Sequence, residues 1–150
     1  MDFCVDDVIR VLQMYKPAAQ KVFRGKVNLF FDREKKEILF EISIGGGFYD
    51  KDIVYKKLSY KTLGLEDLLP CVYTLRLVDG WIEELEPAEA EVLFWKYINH
   101  DFEKRTLDSR FYEGLSFEEI SERMGISKVQ AWRLARKAIR KILDMIDTIS

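Results

Sequence analysis

Two tetrapeptides constrain this chain more tightly than anything else in it. Ser116-Phe117-Glu118-Glu119 and Ser127-Lys128-Val129-Gln130 each place a serine three residues before an acid or an amide. At that spacing the serine oxygen accepts from the third helical N–H while the Glu or Gln side chain reaches back to the serine's own N–H, so each tetrapeptide opens a helix. Ile120 and Met124 lie one turn apart in the first helix, and Gly125 stops it. Only Ile126 and Ser127 follow before the second helix begins. A short capped helix, a tight turn with a glycine and a long capped helix predict a helix-turn-helix.

The second helix is expected over residues 128–147, and its faces test the prediction. At ~100° per residue, Ala131, Leu134, Ala135, Ala138, Ile142 and Ile146 share one narrow face, while Arg133, Arg136, Lys137 and Arg140 share the opposite one. Small alanines let the preceding helix cross closely. Lys128, Arg133, Arg136, Lys137, Arg140 and Lys141 make six of the fourteen residues from 128 to 141 basic, and none of the fourteen is acidic. The whole chain has a net charge of −2, so any anion drawn to this helix is drawn locally.

In a helix-turn-helix the first turn of the second helix meets the base edges of duplex DNA. With Ser127 as its cap, that turn offers Lys128, Val129, Gln130 and Arg133 as readers. Gln130 could address adenine through two hydrogen bonds, Val129 a thymine methyl, and Arg133 a guanine edge. Arg136, Lys137 and Arg140 are placed to bond phosphates. Trp132, Ile139 and Leu143 form a second apolar stripe, expected to pack on an upstream helix such as Pro87–Asn99; left uncovered, it would be a dimer or partner surface.

Upstream, the periodicity alternates between helix and strand. Phe3, Val5, Val8, Ile9, Leu12 and Tyr15 predict a helix over 2–16, with Asp2 as its cap and Pro17 opposing its continuation. Val27, Leu29 and Phe31, then Ile38, Phe40, Ile42 and Ile44, alternate around a charged segment and predict a β-hairpin. Gly45-Gly46-Gly47 stops the second run and opens a loop; no Gly-Lys-Ser/Thr follows, so it is not a phosphate cradle. Helices are expected over Lys51–Leu63, stopped by Gly64, over Glu66–Leu85 with Pro70 in the first turn, and over Pro87 to about Asn99. The fold class that results is mainly α with a small β-hairpin. An N-terminal α+β region of residues 1–80 precedes a C-terminal helix-turn-helix bundle of residues 81–150.

With 48% hydrophobic and 33% charged residues, the chain can bury a core, which excludes a disordered tail. No apolar run approaches the ~18–20 residues that cross a bilayer, and the start of the chain carries acid where a secretory signal carries base. Cys4 and Cys71 are isolated thiols, so a reduced, cytoplasmic protein without a membrane partner is expected. Catalysis is not expected. His100 is the single histidine and has no nucleophile to pair with, and two distant cysteines make no metal set, so neither cofactor nor metal is expected.

Three segments carry a family resemblance: Leu85-Glu86-Pro87-Ala88-Glu89-Ala90-Glu91-Val92-Leu93, Gly114 through Ser127, and Ala138-Ile139-Arg140-Lys141-Ile142. Over about residues 82–146 the chain resembles the C-terminal, region-four helix-turn-helix domain of bacterial sigma factors. It is still more similar to the short RinA/ArpU-type regulators of phages and prophages. The resemblance implies DNA-facing positions at Lys128, Val129, Gln130, Trp132 and Arg133, with duplex DNA and RNA polymerase as partners and a homodimer as one way of binding. Val129 stands where sigma factors usually carry an acid, and Trp132 where they carry Arg. Asn99–Tyr112 is additional, and residues 1–80 match no sigma core-binding region. The implied function is therefore a sequence-specific transcription regulator rather than a full sigma factor. The alternatives are a phage DNA-packaging protein of the terminase small-subunit kind, or a helix-turn-helix kept for binding RNA polymerase or another protein.

Overall fold

Pro17 decides how the chain begins. It has no N–H to give to the carbonyl of Gln13, so one helix cannot run through residues 13–17. The computed structural model, which describes residues 3–23, 26–42, 47–49, 69–100 and 114–149, accordingly shows two helices, α1 (Val5–Gln13) and α2 (Tyr15–Phe23), where a single one was expected. Cys4 rather than Asp2 precedes α1, and its N–H donates to the Asp7 carboxylate at 2.9 Å. Pro17 falls in the first turn of α2, where its missing donor costs nothing.

The strands follow the alternation. Strands β1 (Val27–Asp32) and β2 (Glu37–Ile42) pair antiparallel with Val27 opposite Ile42, Leu29 opposite Phe40 and Phe31 opposite Ile38, so the apolar residues share one face. Asp32 accepts from the N–H groups of Glu34 and Lys35 in the turn, and Lys36 takes the left-handed conformation there. A third strand, β3 (Gly47–Tyr49), returns along β2, so Gly47 begins a strand where a loop was expected. Helix α3 spans Leu69–Glu84 with Pro70 in its first turn. The helix expected over Lys51–Leu63, its stop at Gly64, and Ile44 to Gly46 lie outside the described residues.

The chain divides into two compact units, Tyr15–Glu83 and the combination of Met1–Met14 with Glu84–Ser150. The expected division near residue 80 places α1 with the strands; the contacts group it with the C-terminal helices. In the first unit the core is apolar: Val22, Leu29, Ile38, Phe40, Leu75, Val78 and Ile82 are buried, and Phe23 and Tyr15 lean on Phe40. The Tyr15 hydroxyl donates to Asp79 of α3 at 2.7 Å.

In the second unit, α4 (Pro87–Leu93) begins with Pro87, and the Glu89 carboxylate accepts from the Glu86 N–H. Where a plain α-helix was expected to Asn99, residues Phe94–Ile98 form a π-helical turn closed by the Asn99 N–H donating to the Phe94 carbonyl. That turn leaves the carbonyls of Trp95 and Lys96 to accept from the N–H groups of Leu115 and Gly114 at 2.9 Å each. Only glycine fits at 114, because a methyl there would overlap the Trp95 carbonyl oxygen. Helices α5 (Phe117–Met124) and α6 (Lys128–Ile149) complete the unit, with α6 packed on α1, α4 and α5. The fold is mainly α-helical with a small antiparallel β element.

Candidate nucleic-acid interface

Both capping boxes form as their spacing requires. At the start of α5 the Ser116 hydroxyl accepts from the Glu119 N–H and the Glu119 carboxylate accepts from the Ser116 N–H. Those bonds, with Arg123 and Lys96 adding smaller attractions, hold the Glu119 carboxyl below the ordinary glutamate range. Gly125 ends α5 at φ +67, and the Ile126 N–H turns back to the Ser121 carbonyl. At the start of α6 the Ser127 N–H donates to Gln130 Oε1 at 2.9 Å and the Gln130 N–H to the Ser127 hydroxyl at 3.1 Å.

The faces of α6 separate cleanly. Ala131, Ala135, Ala138 and Ile142 are buried, whereas Lys128, Arg133, Arg136, Lys137 and Arg140 are exposed. Among the described residues no carboxylate pairs with Arg133, Arg136 or Arg140. Trp132, Arg133, Arg136, Lys137 and Arg140 line a shallow concavity of about 380 Å³. Such a surface, cationic and backed by a packed helix, can bond phosphate oxygens and present guanidinium groups to base edges.

The angle at which α6 is presented depends on a contact that periodicity did not reveal. Glu89, only 1% exposed, accepts from Lys141 Nζ at 2.8 Å with the same oxygen that caps α4. Lys137 lies 4.0 Å from the other oxygen and keeps two-thirds of its side chain exposed. Among the described residues, Lys141 is thus the basic residue of the run hydrogen-bonded to the protein's own carboxylate. Pro87-Ala88-Glu89 signals the cap, a Glu at the third helical position, but not the Lys141 partner. A second tie runs from the π-helical turn to α5, with the Lys96 ammonium over the Phe117 ring and the Arg123 guanidinium over Trp95. His100, buried at the end of the turn, donates from Nε2 to the Gln13 carbonyl that Pro17 leaves without a helical donor. Its place is structural.

Residues 81–142 match the family model for Sigma-70, region 4. That family is a DNA-binding helix-turn-helix domain, not a catalytic one, and its members bind DNA and RNA polymerase. The region 4 match takes in α4, the π-helical turn, α5 and most of α6, and stops at Ile142, the last of the buried apolar positions named above. No curated protein and no solved structure matches the chain.

The nine candidate residues fall into four sets. Lys128, Val129, Arg133, Arg136 and Arg140 are exposed on α6 as expected. Ser127 and Gln130 are exposed but bonded to each other, which fixes the Gln130 amide oxygen at the cap. Lys137 stands between the outward face and Glu89. Trp132 departs from the packing expected of its stripe: Ile139 is buried, yet Trp132 is 44% exposed with the Arg136 guanidinium 4.8 Å from its ring centre. An indole set three residues after Val129 lies too near the outward face to reach α4. Among the described residues no group of three or more His, Cys, Asp or Glu could hold a metal ion, and no described helix is long and apolar enough to cross a membrane.

Proposed function

We propose that the protein is a site-specific, double-stranded DNA-binding transcription regulator of phage or prophage type, acting in the cytoplasm, that lays the first turns of α6 in the major groove. One observation carries this reading: the arginines of α6 face solvent, without carboxylate partners among the described residues, while the alanines behind them are locked against the bundle. A helix held on one face and cationic on the other meets the steric and electrostatic needs of groove docking. The region 4 match supports RNA polymerase as a second partner.

Two substitutions test the proposal by titrating salt against binding to duplexes enriched from a random library. Arg133→Ala is expected to cost about 1–3 kcal/mol and to relax preference at one base pair. Arg140→Ala is expected to weaken all duplexes alike and to lower the salt slope by about one unit, because one phosphate contact and its released counterion are lost. Binding by parent and variants that is equal and insensitive to salt would overturn it.

A further inference from the structure

The leading turn of α6 has one amide suited to reading adenine, and the cap uses it. Gln130 Oε1 holds the Ser127 N–H, so the polar reader that the sequence suggests is engaged within the protein. Two apolar side chains remain outward on that part of the helix. Val129 is 54% exposed and Trp132 44% exposed, and their spacing of three residues puts them side by side on one face. No described element covers either of them, although Ala131, which lies between them in the sequence, is fully packed. Arg136 lies over the indole and Lys128 precedes the valine, so the apolar pair is framed by cations that would hold it against a polyanion.

On the floor of the major groove the one apolar feature of a base edge is the 5-methyl group of thymine. We infer that Val129 and Trp132 form a methyl-reading pair, and that the preferred duplex carries thymines, or other 5-methylpyrimidines, at the positions facing this turn. The inference rests on the duplex-binding reading above and adds to it what is recognised.

The test uses the full chain and changes the DNA before the protein. Duplexes are first enriched from a random library at near-physiological salt. The best duplex is then made with every thymine replaced by deoxyuracil, which removes only the methyl groups. Loss of each buried methyl is expected to weaken binding about fourfold, so two such contacts give roughly sixteenfold. Val129→Ala and Trp132→Ala, both at exposed positions, should reduce the thymine-to-uracil ratio toward one while the salt slope stays as in the parent. Returning methyls as 5-methylcytosine, in duplexes with cytosine at the same positions, should strengthen binding by the parent and leave the double variant unchanged. Salt-sensitive duplex binding that ignores the uracil exchange would overturn the methyl-reading pair and leave the duplex-binding proposal standing. Absence of any duplex binding would overturn both.

Discussion

The two units bury different chemistry. Among the described residues, every buried side chain of the strand-containing unit is hydrophobic, with polar atoms at the Tyr15 hydroxyl, which donates to Asp79, and at the Trp81 indole N–H. The helical unit buries Gln13, Glu89, Glu91, Lys96 and His100 along with its apolar core. Apolar burial is nondirectional and scales with area, so the first unit tolerates any side chain that fills the space. A buried polar group costs stability unless it meets a partner in one geometry. Glu89 with Lys141, Lys96 over Phe117 and His100 with the Gln13 carbonyl therefore fix directions as well as distances. The unit that presents a candidate recognition helix is the one whose packing is directional.

The largest test of that contrast is Phe40→Ala, which empties the centre of the strand-containing unit. It is expected to cost about 4 kcal/mol in chemical unfolding followed at β1 and β2 amides, while Phe40→Leu should cost under about 1.5 kcal/mol. If the conservative swap is as damaging as alanine, area alone does not govern this unit. Lys141→Ala comes next. It leaves the buried Glu89 carboxylate to the Glu86 N–H and the more distant Lys137 and should cost roughly 2–3 kcal/mol, less than a fully unpaired buried charge, and Lys141→Met should cost nearly as much, because the missing charge matters rather than the missing volume. Full recovery by methionine would remove the distinction between the units.

The smallest effect separates polar contacts inside the helical unit. The Glu119 carboxyl is held down chiefly by the Ser116 N–H, so its contribution to the α5 cap is complete above the ordinary glutamate pKa and is lost as pH falls through the lower folded value. Carboxyl-carbon NMR should place that titration below the normal range, and exchange of the first α5 amides should quicken at the same acid pH. The Ser127–Gln130 box at α6 has no titrating member and should be unchanged. Equal acid sensitivity at both caps would show that the charge on Glu119 is incidental.

Much of this was legible from local pattern. The alternation of Val27, Leu29, Ile38, Phe40 and Ile42 predicted the hairpin, and the serine boxes predicted where α5 and α6 start, because both depend on neighbours within a turn or a strand. The candidate site was readable to the same depth: the helical period alone separates Arg133 and Arg140 from Ala131 and Ala138. It could not show that Trp132 stays outside or that Lys141 is drawn to Glu89. Nor did it show the π-helical turn, whose free carbonyls meet amides about twenty residues further along at Gly114 and Leu115.

What the sequence by itself determined is the set of helix starts and the two-faced character of α6, since a 100° turn per residue and a three-residue cap are fulfilled within the chain's own neighbourhood. The tertiary structure alone decided which cations remain available and which helix joins which unit. A buried carboxylate such as Glu89 takes its partner from whatever element packs over it, and α1 found its place through a carbonyl that Pro17 could not serve and His100 could.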